Sequence, residues 1–131
     1  MPLISSQLSA AIAAMRALLP LEYPADAIIR RFFRDNAILG VQDRAFIAEV
    51  VFGVLRHRFF LEHLANPITP RALVLAYLVK FHGLNLREFD TLASESEKKW
   101  LAEIKAIKID SFPLAVQAEF PDWLVEKLKN E

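Results

Sequence analysis

The chain has 131 residues, 54% of them apolar and 24% charged, with only 3 Gly but 10 Phe. That length suits one domain, and an apolar share above the usual ~45–50% excludes disordered, low-complexity and collagen-like chains. Sixteen basic and sixteen acidic residues cancel, so no whole-molecule field draws in a polyanion.

With no cysteine, the chain can form no disulfide, run no thiol chemistry and offer zinc no sulfur ligand. Its three histidines, His57, His63 and His82, are too scattered for a metal cage, and no metal site is expected. The longest strictly apolar run, 72–79, falls far short of the ~20 residues that cross a bilayer. The N-terminus lacks the basic region and cleavage pattern of a signal peptide, so the expected setting is the cytoplasm, with no membrane partner. The charges are segregated although they balance. Residues 1–94 carry nine Arg and Lys80 against eight acids, a surplus of two, and residues 95–131 carry six Lys against eight acids, a deficit of two. Any surface for a polyanion belongs to the first two thirds.

Apolar spacing is helical nearly throughout, and no two-residue alternation reaches strand length, which predicts an all-α fold. Ser5 or Ser6 can cap a first helix with the stripe Leu8, Ala11, Ile12, Met15, Leu18 and Leu19, stopped by Pro20. Pro24 suits the first turn of a second helix running to about Asn36, with Ile28, Ile29, Phe32 and Phe33 inward. A third helix opens near Gln42 and Asp43, where the acid complements the helix dipole, and is expected to continue past Arg58. Phe46, Ile47, Val50, Val51, Val54 and Leu55 form its apolar stripe, and Ala45, Ala48 and Phe52 extend that character to the other side, so it is placed in the middle of the bundle. Thr69 and Pro70 signal the cap and first turn of a fourth helix over 71–82, apolar almost all round and ended by Gly83. A short helix is expected over 85–92. Ser94 and Glu97 form a capping-box pattern for the next, which carries Trp100, Leu101, Ile104 and Ile107. An extended connector over 110–119 then leads to a last short helix begun by Pro121, with Trp123, Leu124 and Leu128 on one side.

No phosphate-binding glycine loop, nucleophile elbow or zinc-binding His-Glu-x-x-His occurs, so no catalytic and no cofactor-binding residue is assigned. On a helical wheel the apolar group of the second helix spans about 0° to 140° and Arg30, Arg31 and Arg34 about 200° to 300°. Arginine forks bind phosphates and stack on bases, which makes this outward face a candidate RNA strip. The same face can be an ordinary solvated one, since Arg30 can meet Asp26 and Arg31 can meet Asp35 four residues apart. In the third helix Glu49 and Arg56 lie within about 20° of each other, with Gly53 between them. A mid-helix glycine costs about 1 kcal/mol relative to alanine, so a close neighbour there is expected, in helix packing rather than a ligand site. Arg44 falls on the apolar side and is expected to be structural, paired with Asp43 or with an acid from another helix. The pairs Phe32 with Phe33 and Phe59 with Phe60 can stack bases, although their spacing reads as core.

The run Asp43-Arg44-Ala45-Phe46-Ile47-Ala48-Glu49-Val50-Val51-Phe52-Gly53-Val54-Leu55-Arg56-His57-Arg58 resembles a motif of the N-terminal domain of the Sun (Fmu, Nop/Sun) family of RNA cytosine-5 methyltransferases. That domain is similar in fold to the antitermination factor NusB. Phe120-Pro121-Asp122-Trp123-Leu124 resembles the segment linking it to the methyltransferase part, and Phe112-Pro113-Leu114 the stretch before it. The resemblance implies a single NusB-like bundle of about six to seven helices over 1–109 that helps hold RNA, rRNA foremost. The Arg excess of the first two thirds places that contact along Arg30, Arg31 and Arg34, continuing to Arg56 and Arg58. Asp43, Arg44, Glu49 and Gly53 form its structural motif. Residues 110–131 would be the linker and first helix leading to a methyltransferase domain, docked through Trp123, Leu124 and Leu128. That family uses S-adenosylmethionine and catalytic cysteines. This chain has neither those cysteines nor a cofactor loop, so it is expected to be a non-catalytic N-terminal portion, with its partners RNA and the catalytic domain in cis. Two alternatives stand beside this one: a free-standing NusB-like factor binding RNA and a ribosomal protein, and a purely architectural domain.

Overall fold

A computed structural model of the chain describes residues 4–20, 23–65 and 67–107. Six α-helices and one short 3-10 helix form a single bundle, and no strand occurs among the described residues. The expected all-α bundle is therefore observed, whereas the connector and last helix placed after residue 109 lie outside the described residues.

The first helix, α1 (Ser5–Leu18), buries Leu8, Ala11, Ile12, Ala14, Met15 and Leu18 along one stripe. Ser5 lies inside the helix. The residue before it, Ile4, takes the cap position without a side-chain hydrogen bond, and its carbonyl accepts from the Leu8 amide. Pro24, expected in the first turn, takes the cap position before α2 (Ala25–Asp35), which lies mainly along α1 and buries Ile29.

The third expected helix is two. Helix α3 (Val41–Arg56) stops at His57, whose φ of −108° and ψ of 25° turn the chain before α4 (Arg58–Leu64) begins. A helix continued straight would carry its apolar end away from the bundle. The turn instead lays Phe60, Leu61 and Leu64 inward beside α5 (Pro70–Lys80). The His57 ring stacks on Phe81 with centroids 3.8 Å apart and an interplanar angle of 9°.

Helix α5 is the centre of the bundle. Every residue from Leu73 to Val79 is buried, and α1, α3, α4 and α6 (Glu95–Ala106) all pack on it. Its start is fixed as the sequence foretells, with the Thr69 hydroxyl accepting from the Ala72 amide at 3.0 Å and Pro70 in the first turn. At its end the Leu84 amide bonds back to the Leu78 carbonyl, a closure made possible by Gly83 at φ +81°. Helix α3 is less central than its composition suggests. Ile47, Val50, Val51, Gly53 and Val54 are buried, but Ala45 is exposed and Ala48 and Phe52 are only half-buried.

A 3-10 turn, Leu86–Phe89, leads to α6, and Asn85 caps it by accepting from the Arg87 amide. The Ser94 and Glu97 capping box forms in full. Glu97 also takes a two-pronged hydrogen bond from Arg71 of α5, at 2.7 and 3.1 Å, while the same guanidinium donates to the Leu92 carbonyl. Lys80 closes the other end of α6, its ammonium donating to the carbonyls of Ile104, Lys105 and Ile107. Burial holds the Lys80 amine below its ordinary value.

The Arg71 bond holds the Glu97 carboxyl below its ordinary value near 4.5. A carboxyl so depressed adds stability that is complete above its unfolded value and disappears as the pH falls through the folded one. Glu97→Gln should therefore flatten the acid limb of a stability-against-pH curve measured by urea unfolding below about pH 4.5. A variant whose stability falls as steeply as that of the wild type over that range would show that Glu97 does not carry the effect.

Candidate nucleic-acid interface

The sequence motif over 43–58 resolves into a set of contacts that fasten α3 to its neighbours. Asp43, in the first turn, accepts from the Gln7 side chain of α1 at 3.0 Å. Gly53 lies under the ring of Tyr77 of α5 so closely that a Cβ added there would come within 2.2 Å of a ring carbon. Glu49 and Arg56 flank the phenol with opposite charge, and burial, aided by Glu49, raises the Tyr77 pKa. One turn before Gly53, Glu49 pairs with His82 at 3.2 Å. The glycine thus has the close neighbour its position implied, and that neighbour is a helix.

Arg44 departs from its expected place. It is exposed, and its guanidinium reaches the Ala37 backbone carbonyl at 3.5 Å, not an acid. The wheel puts its Cα toward the apolar side, but near the helix start the long side chain can extend back over the preceding loop. Phe59 also departs. Phe60 is core at 1% exposure, whereas Phe59 is 55% exposed. Phe32 and Phe33 are half-buried and meet edge to face.

Arg30, Arg31 and Arg34 are all exposed on the outward face of α2. The two local pairs foreseen for this face form loosely, Arg30 with Asp26 at 3.6 Å and Arg31 with Asp35 at 3.9 Å, each with both side chains well solvated. Exposed helical pairs of this kind contribute about 0.3–0.5 kcal/mol, little enough for a phosphate to displace the acid. Arg34 makes no ion pair among the described residues. Beside this face a groove of about 490 Å³ opens between the end of α1 and α2. Arg31, Arg34 and Asp35 line it together with Pro20, Tyr23, Ile28 and Phe32.

The other two candidate arginines lie elsewhere. Arg56 is exposed at the end of α3, about 22 Å along the helix axis from its start near α2. Arg58 is half-buried and donates to Glu62 four residues on. The structure thus places Arg30, Arg31 and Arg34 on one face of α2, and Arg56 and Arg58 at the α3–α4 corner. Trp123, Leu124 and Leu128, the expected docking residues, lie outside the described residues.

Comparison with family models, curated proteins and solved structures finds no match. The site therefore stands on its own geometry. Among the described residues no group of His, Asp and Glu is placed to hold a metal ion, and no helix is long and apolar enough to cross a membrane. Tyr23 is the residue that sequence reasoning passed over. At 66% exposure it is among the most exposed aromatic side chains, and it belongs to no helical stripe, so only the crossing of α1 and α2 gives it a neighbourhood.

Gly53→Ala should destabilise the chain by about 1–3 kcal/mol, the usual cost of overpacking a core, despite alanine's helix-forming gain of about 1 kcal/mol. Urea unfolding of Gly53→Ala alone and with Tyr77→Leu tests the cause. The penalty is expected to shrink when the ring is removed, and a Gly53→Ala variant as stable as the wild type would contradict the close approach.

Proposed function

We propose that this chain is the non-catalytic RNA-binding and docking domain of an S-adenosylmethionine-dependent rRNA cytosine-5 methyltransferase. The observation that carries the RNA-binding part is the set Arg30, Arg31 and Arg34, exposed together on the free face of a helix that packs mainly on α1. A neutral protein attracts a polyanion only through a local concentration of charge, and guanidinium forks on a regular helix give phosphates both charge and direction. The methyltransferase part rests on the resemblance of residues 43–58 and 120–124 to the Sun family. In that reading the cofactor and the catalytic cysteines belong to a partner domain in cis, and Trp123, Leu124 and Leu128 dock it. This chain's task is to hold and orient the RNA.

The test is binding of a structured rRNA fragment at several salt concentrations, for the wild type and for Arg30→Ala/Arg31→Ala/Arg34→Ala. Every phosphate no longer neutralised lowers the slope of log K against log salt by roughly 0.7 for a single strand, so removing three such arginines should lower it by about 2. An unchanged slope and affinity would leave these arginines as a solvated helix face. Calorimetry with S-adenosylmethionine should give no binding to the chain alone, and micromolar binding would contradict the division of labour.

A further inference from the structure

From the groove between α1 and α2, we propose that it seats one unstacked base of a single-stranded RNA, with the ring of Tyr23 as its stacking platform and Arg31 and Arg34 on the flanking phosphates. This inference rests on the RNA-binding reading above and narrows it to one pocket and one state of the nucleic acid.

Four features of the groove lead there. Its volume of about 490 Å³ falls within the ~300–1,000 Å³ typical of small-ligand pockets. Its lining includes the apolar Pro20, Ile28 and Phe32, which suit the flat face of a base and offer no charge to a phosphate. Among the described lining residues the charged groups are the guanidinium groups of Arg31 and Arg34 and the carboxylate of Asp35, so the described side of the rim offers two cations that can meet a phosphate. Tyr23 lines the groove at 66% exposure, which leaves an aromatic ring there accessible for base stacking. Bases within a duplex are stacked on each other, and only a base from a loop, bulge or open strand can enter such a pocket.

Stacking and charge leave separate marks on binding. Removing an aromatic platform weakens the complex at every salt concentration without altering the number of phosphates neutralised. Removing an arginine changes the salt dependence itself. Fluorescence anisotropy with an end-labelled, unstructured 12-nucleotide RNA and with the corresponding 12-base-pair duplex separates the two, using the full chain and its Tyr23→Ala, Tyr23→Phe and Arg31→Ala/Arg34→Ala variants. Tyr23→Ala is expected to weaken single-strand binding about tenfold or more at unchanged salt slope, and Tyr23→Phe to restore it. Arg31→Ala/Arg34→Ala is expected to lower the slope by about 1.4, and the duplex to bind more weakly than the single strand. Because Tyr23 is largely exposed, its removal should leave the helical circular dichroism unchanged, which serves as the folding control. RNA binding unaffected by Tyr23→Ala, or duplex bound as tightly as single strand, overturns the pocket while leaving the RNA-binding reading in place. No binding of either RNA overturns both.

Discussion

The contact between Gly53 and the ring of Tyr77 sets the geometry of the bundle. Two helices can approach this closely only where one of them has no side chain, and α3 supplies its single glycine at that point. With the ring seated, Tyr77, Phe81 and His57 form a stacked series that carries the chain around the α3–α4 turn. Leu73 to Val79 then find apolar neighbours on every side, from α1, α3, α4 and α6. The motif resembling the Sun family is, in its observed contacts, a fastening device. Asp43 ties α3 to α1, and Gly53 and Glu49 tie it to α5 and its C-terminal end.

That division explains why the candidate interface lies away from the motif. Helix α2 is the peripheral element, and a helix with one packed side leaves its other side to solvent. Its arginines are held only by weak local pairs, so ordering them on a phosphate costs little that folding had gained. Arg71 is the opposite case. Its bonds to Glu97 and to the Leu92 carbonyl occupy the guanidinium in joining α5 to α6 and to the turn before it. The same side chain is left to solvent on α2 and serves cohesion between α5 and α6, according to what surrounds it.

Much of the fold could be read from local signals. Thr69 with Pro70, Ser94 with Glu97, and Gly83 each mark a helix boundary through a bond or a backbone angle that involves only nearby residues, and each is realised. The break at His57 was not legible, because apolar residues continue through 54, 55, 60 and 61 at helical spacing and no proline or glycine interrupts them. What turns the chain is the gain from laying α4 on α5, a contact between distant segments. The exposure of Ala45 and Phe59 has the same origin, since a wheel shows which residues share a face but not whether a neighbour covers it. Of the candidate site, the arginine face of α2 was legible from a single helix, including its two local ion pairs. The groove was not, because Tyr23 and Pro20 meet Arg31 and Phe32 only through the crossing of α1 and α2.

In the proposed function RNA meets this bundle on α2 and the adjoining end of α1. Amide chemical-shift mapping during titration of the ¹⁵N-labelled chain with single-stranded RNA tests it directly. Perturbations concentrated at residues 16–20 and 23–35, growing with RNA and reversed by salt, are expected. Perturbations confined to α5 and α6, or none at saturating RNA, would contradict it.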